Sequence, residues 1–237
     1  NNFIVFPKDV LLTKKEKEYL QENTITYLSM INPPYNNGLG NSSIETDYLN
    51  VIKDKINIDI KIKNEEFSSF FINEDINQIK ASITNNDITR NDVLLTEAIT
   101  TFDIAIATNL EESFISSTNM LKDKKIAIRE DCIFLDELEK KYSDIIFIKT
   151  KSIKDGFKLL SKKKVNAVID ILPLLTYTIK TESIENVKIS GITEFKYQFR
   201  YILNKENKIL HSILNKTIER INEKTKDEIN FKYIKLD

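Results

Sequence analysis

Short runs of apolar and β-branched residues alternate with amphipathic helical runs along nearly the whole chain, and few architectures accept that rhythm. A strand-helix-strand path separates consecutive strands by long connections. It therefore predicts an α/β fold, with mostly parallel sheets, helices on their faces and ligands at the carboxyl ends of the strands. Thr13-Lys14-Lys15-Glu16 spells a capping box ahead of a helix ending near Glu22, and Thr24 to Met30 follows as a strand. The rigid Asn32-Pro33-Pro34-Tyr35-Asn36-Asn37-Gly38 segment predicts a sharp turn or small hairpin. Ser42-Ser43-Ile44-Glu45 reads as a second capping box, opening a helix through Ile44, Tyr48, Val51, Ile52 and Ile56. A strand at 58–62, a helix at 66–72 and a strand at 78–83 come next, then Thr84 to Arg90, a short helix and a strand at 103–107. Beyond a helix near Thr118, the pattern continues as strand 125–128, helix 132–141, strand 144–149, a helix capped by Ser152, strand 165–169 and helix 172–180. An extended run at 194–203 precedes a helix whose apolar face is Ile209, Leu210, Ile213, Leu214, Ile218 and Ile221.

Composition narrows the chemistry. With 35 Lys plus Arg against 36 Asp plus Glu among 237 residues, the formal charge is −1, which argues against a nucleic-acid binder held by phosphate contacts. Only four of the basic residues are Arg (Arg90, Arg129, Arg200, Arg220), and Arg is the side chain suited to forked recognition of carboxylates, so any Arg in a cleft carries weight. A single cysteine, Cys132, makes no intrachain disulfide, and with a single histidine, His211, leaves little for metal or triad chemistry. His211 beside its apolar helix face reads as a core-edge residue. Four glycines do not build a phosphate-cradling loop, and no cofactor is expected. The longest apolar stretches, such as 169–179, are too short and interrupted to span a bilayer. No signal peptide is visible, which says nothing about compartment.

From Leu12 to Tyr233 the order of several segments resembles the type 2 periplasmic solute-binding proteins (bacterial extracellular solute-binding family 3), specifically the Venus-flytrap sensors that precede histidine kinases and diguanylate cyclases. Leu12-Thr13-Lys14-Lys15-Glu16-Lys17-Glu18-Tyr19-Leu20 is similar to their "LTxEExxYL" lead-in, Asn32-Pro33-Pro34-Tyr35 to "WPPF" and Asp47-Tyr48-Leu49 to "DYL", and Thr89-Arg90 stands where the family has "TPER", with Leu95-Thr96-Glu97-Ala98 in place of the "FTxPY" that follows. Residues 121–128 resemble "LKGKKVAV", residues 189–197 "IAGxTxFxY", and Leu214-Asn215-Lys216 with Lys232-Tyr233 the closing "LNKA…KW". The resemblance implies two lobes joined by two hinge-crossing strands, with a small molecule clamped between them. Residues 1–22 would be a lead-in helix, 23–101 plus 199–237 the first lobe, and 102–198 the second. Closure on a ligand is then a hinge transition, stabilised only to the extent that the ligand contacts both lobes.

The same resemblance places candidate ligand contacts. Arg90 stands where amino-acid-binding members grip the ligand carboxylate through two charge-assisted hydrogen bonds. The alternative is a surface pair with Asp87 or Asp92. Thr84 and Asn85 are candidates for hydroxyl and amide contacts, with Asn85 equally readable as a turn residue. Tyr35 matches a cleft aromatic, Asn32 joins it from the same segment, and Phe67 is read as core. In the second lobe the usual Gly-Ser or Gly-Thr pair is replaced by Asp131-Cys132, and Asp131 is expected to cap the following helix with its own carboxylate. That disfavours an anionic ligand group there, so either the ligand is a different small molecule, such as a cationic amine or amino acid met by Glu130 or Asp131, or the second lobe has lost its ligand contacts and signals by another route. The position carrying an acid for the ligand ammonium aligns with Ile171, with Asp170 one residue off. Cys132 is read as a buried small hydrophobe, with a redox-sensing thiol as the alternative.

The reading is a small-molecule sensor domain outside the cytoplasm, with an amino acid or amine as ligand. It is joined to the membrane only through segments outside this chain, and a homodimer of the full-length protein is compatible with it. Its competitors are a free amino-acid-binding subunit of an ABC importer and a lyase of the cyclohexadienyl dehydratase type. For the lyase, Glu97 and Glu130 are the nameable acid-base candidates.

Overall fold

A computed structural model describes residues 3–30, 32–37, 42–64, 75–81 and 92–236. They divide into two compact units, residues 1–100 with 199–232 and residues 101–198 with 233–237, so the chain passes between units within β5 (Thr100–Asn109), again within β9 (Val187–Phe199) and a third time after Lys232.

Unit 1 is built on a five-stranded mixed sheet. Its strands are β1 (Ile25–Ser29), β2 (Ile60–Asn64), β3 (Gln78–Ala81), β4 (Val93–Leu95) and β10 (Tyr201–Asn204), in the order β2-β1-β3-β10-β4. β1 runs parallel to both neighbours, Ser29 lying opposite Asn64, whereas β10 is antiparallel to β3 and β4. α1 (Lys14–Glu22) starts as the sequence predicts: Thr13 accepts from the Glu16 amide, and the Glu16 carboxylate reaches back to the Thr13 N–H at 2.8 Å. That carboxylate also receives Lys216 Nζ at 2.6 Å and Ser212 Oγ at 2.8 Å from α6 (Lys208–Glu219), tying the lead-in helix to the body of the unit. α2 (Ile44–Ile56) ends at Asn57 in the left-handed region at φ 53°, a conformation that Asn adopts more readily than most residues. Ile44, Tyr48, Leu49, Ile52 and Ile56 on α2 are buried, as are Leu210, Ile213 and Leu214 on α6, which packs against it. α7 (Glu223–Ile234) closes the chain and supplies Asn230, whose Oδ1 accepts from the Tyr48 hydroxyl at 2.6 Å.

Unit 2 repeats the plan. β5, β6 (Lys125–Arg129), β7 (Ile146–Thr150), β8 (Ala167–Ile171) and β9 lie in the order β7-β6-β8-β5-β9, with β6 parallel to β7 and β8 and β5 antiparallel to β8. A 3-10 turn at Thr118–Leu121 precedes β6, and α3 (Leu135–Lys141), α4 (Ile153–Ser161) and α5 (Leu172–Thr181) connect the later strands. Ser152 caps α4 through the Asp155 amide at 3.1 Å, and a Cβ on Gly156 would stand 3.3 Å from Ala127 Cβ and Val168 Cγ1, so the helix lies close on the sheet. Phe157, Leu160, Val168 and Leu175 form the centre of this core.

Two sequence expectations change. Each sheet is mixed, because the strands flanking a parallel trio come from distant parts of the chain and enter in the opposite sense. Residues 93–95, where a short helix is expected, are strand β4, since β10 offers them a ladder partner. The expected helix at 66–72 lies outside the described residues.

Candidate functional site

In each unit one strand has parallel partners on both sides, β1 in the first and β6 in the second, and the carboxyl end of such a strand is where α/β sheets take ligands. In unit 1 this end is closed by the turn that the two prolines predict: Asn32 and Asn36 exchange backbone hydrogen bonds of 2.9 and 3.1 Å across a cis Pro33-Pro34 peptide. The carbonyls of Pro34 and Tyr35 then accept the Ile44 and Glu45 amides, strapping the turn to the start of α2. Tyr35 is buried and stacked on Phe199, 6.4 Å between ring centres, so it serves the core of unit 1. Asn32 is half-buried and held through its backbone.

Beneath that turn lies a buried polar cluster. The α2 N-cap is Ser43, not Ser42, and its Oγ accepts from the Thr46 amide; this moves Glu45 to the second helical position, where it cannot close a capping box. Its carboxylate points into the unit at 5% exposure, accepting Tyr27 Oη at 2.5 Å and Ser29 Oγ at 3.1 Å. Asn36 Nδ2 donates to Ser29 Oγ at 2.6 Å and to Asn64 Oδ1 at 3.0 Å. Burial pushes the Glu45 carboxyl up to about 7, against the pull of the two donated hydrogen bonds. A small pocket lined by Tyr27, Ser29, Asn36, Glu45, Thr46 and Ile62 adjoins it. Sequence reasoning missed this group by assigning Glu45 to a cap. The available signal was its spacing from Leu49, Ile52 and Ile56, which puts it on the buried helical face.

The corresponding end of unit 2 is occupied by the chain itself. Ile126 pairs with Ala167 and Ala127 with Val168, which brings Arg129 and Asp170 level at the carboxyl ends of adjacent parallel strands. Arg129 donates from Nε to Asp170 Oδ2 at 2.6 Å and from Nη2 to Oδ1 at 3.0 Å, a bidentate pair, and from Nη1 to Asp131 Oδ1 at 3.2 Å. Asp170 is fully buried and also accepts from the Ile171 amide at 2.7 Å. Burial disfavours the Arg129 charge, but Asp170 outweighs that and raises the guanidinium above its usual range.

Several expected roles are thereby corrected. Asp170 is an internal counter-ion, because its oxygens are already filled by Arg129 and a backbone amide. Asp131 does not cap the next helix: α3 begins only at Leu135, its N-cap Phe134 makes no side-chain bond, and Asp131 turns to Arg129 instead. Cys132 is buried, in agreement with its reading as a small hydrophobe, and burial followed by the Asp170 charge pushes its thiol up to about 12, opposite to the redox-sensing alternative. Glu130 and Glu97 are exposed. His211 holds the Leu95 carbonyl through Nε2 at 2.8 Å, a structural contact. Arg200 donates to the Thr96 carbonyl and Arg220 to Asp9. Thr84, Asn85, Arg90 and Phe67 lie outside the described residues. Among the described residues no group of three or more His, Cys, Asp or Glu side chains is placed to hold a metal ion, and no helix is long and apolar enough to cross a membrane.

No protein-family model and no curated protein sequence matches the chain. Solved structures do. The periplasmic VFT2 domain of Bordetella pertussis BvgS matches with a TM-score of 0.76 at 11% identity, over 94% of this chain and 99% of that one. The GluR0 ligand binding core in complex with L-glutamate matches at 0.67 and 17%, over 90% and 99% of the two chains. A histidine kinase sensor domain with similarity to periplasmic binding proteins matches at 0.64 and 14%, over 89% and 96%. Two mixed α/β sheets of this order, matched over nearly full length by such domains, give the chain the two-lobed type 2 periplasmic-binding-protein, or Venus-flytrap, fold.

Proposed function

We propose that the chain is the extracytoplasmic ligand-sensing domain of a membrane-anchored signalling protein and that its ligand is a small amino-acid-like molecule anchored through Arg90. The observation that supports this most is the join of a Venus-flytrap fold to a buried polar cluster, Tyr27, Ser29, Asn36 and Glu45, at the carboxyl end of β1. Arg90 is taken as the forked anchor from the resemblance of Thr89-Arg90 to the family's segment; among the described residues Arg129, Arg200 and Arg220 are engaged by groups of the chain itself. For the lyase alternative, the two acid-base candidates Glu97 and Glu130 are both exposed.

A thermal-shift screen of the purified domain against amino acids, amines and small carboxylates tests the reading, because a ligand that binds only the folded form raises the melting temperature. A carboxylate-bearing hit should lose its shift in Arg90→Ala. A hit that survives that substitution unchanged refutes the anchor. The sequence beyond Asp237 in the full gene separates a sensor, which needs a membrane-spanning segment in the same polypeptide, from a free importer subunit.

A further inference from the structure

We propose that the pocket at the carboxyl end of β1 receives a primary ammonium group, with the Glu45 carboxylate as its counter-ion and the Ser29 and Thr46 hydroxyl oxygens beside it as further acceptors. The inference deepens the sensor reading and rests on it for the existence of a ligand.

Hydrogen-bond direction is the first argument. Asn36 Nδ2 donates to Ser29 and to Asn64, Ser29 donates to Glu45, and Tyr27 donates to Glu45, so the two hydroxyl donors both end on the carboxyl group, whose ionised form offers only acceptors. The second argument is charge. Among the described residues no basic side chain forms an ion pair with Glu45. The register explains why: Tyr27 and Ser29 face α2 with their partners Ile62 and Asn64, whereas Lys61, Lys63 and Lys80 pair with Thr26 and Leu28 and alternate to the opposite face. Among the described residues the other titratable groups facing Glu45 are phenols, Tyr27 from β1 and Tyr201 from β10, both buried, with Tyr48 on α2 beyond them. Asp47, also on α2, is turned to Lys232 Nζ at 2.7 Å. A buried carboxylate with no cation is costly unless a positive group completes it, and among the described residues the positive field at this carboxylate is that of the start of α2. The third argument is space: the adjoining pocket is partly open and water-sized, a fit for an ammonium head and too tight for a quaternary amine.

Melting temperatures of the whole domain in methylammonium chloride test this against equal concentrations of sodium, potassium and tetramethylammonium chloride. Methylammonium alone should raise the melting temperature. Its apparent affinity should grow roughly tenfold between about pH 6 and about pH 8 as Glu45 ionises, and Glu45→Gln should abolish both effects. Equal shifts with potassium or tetramethylammonium, a methylammonium shift that persists in Glu45→Gln, or no methylammonium shift at all would each overturn the proposal. If Glu45→Gln does not fold, the pH response and the preference over tetramethylammonium, both read on the unaltered protein, decide. An amino acid whose shift depends on Arg90 but ignores Glu45→Gln and pH overturns this proposal and leaves the sensor reading standing. A screen with no hit of any kind removes both.

Discussion

Replacing Glu45 by glutamine should flatten a pH dependence of stability that the unaltered protein carries in the absence of any ligand. Desolvation at 5% exposure costs the charged form more than the Tyr27 and Ser29 hydrogen bonds return, and the carboxyl rises from 4.5 to about 7. A group whose pKa is higher in the folded state holds its proton more tightly there than in the unfolded chain. Stability is therefore greatest below the unfolded value, falls as pH rises between the two values, and levels off above about 7. With one unit equal to about 1.4 kcal/mol, the loss between about pH 5 and about pH 8 is roughly 2.5 kcal/mol. Urea unfolding followed by far-UV circular dichroism resolves that easily, since a typical slope converts it to a midpoint shift of roughly 1 M. The unaltered protein should lose that much relative to Glu45→Gln across the interval, with the slopes of the two transitions unchanged. Parallel pH profiles would refute the assignment of a buried, proton-holding carboxyl under α2.

Three further perturbations probe unit 2. Arg129→Ala leaves the fully buried Asp170 with only the Ile171 amide, so it should cost about 3–5 kcal/mol in denaturant unfolding, and Arg129→Lys should recover only part because an ammonium offers no fork. Gly191→Ala should cost about 1–3 kcal/mol, because its new Cβ would stand 2.2 Å from the Ile115 carbonyl oxygen and backbone must shift to admit it. Cys132, buried and with its thiol pushed up to about 12, should resist iodoacetamide in the native protein and react many-fold faster in denaturant, as read by mass spectrometry; rapid native labelling would place the thiol elsewhere.

The elements that a reader of the sequence places correctly are those whose signals are local. The Thr13-Glu16 box, the Ser152 cap and the apolar stripes of α2 and α6 all lie within a few residues of the structure they specify. The site was less legible. Thr84, Asn85 and Arg90 came from motif resemblance and lie outside the described residues, while the groups gathered at the two strand ends were misread or passed over. Asp131 next to a helix looks like a cap until a guanidinium two residues back outbids the amides, and Glu45 looks like the far half of a capping box until the cap proves to be Ser43.

Local periodicity and capping chemistry thus determined most of the segments that became strands and helices, β4 excepted, because those depend on the 3.6- and 2-residue repeats of the backbone itself. Only the tertiary structure decided that Arg129 meets Asp170 41 residues away and that the Glu45 carboxylate turns under Tyr27. Both contacts are set by strand order and register, which depend on how whole elements pack and leave no mark on the neighbouring sequence.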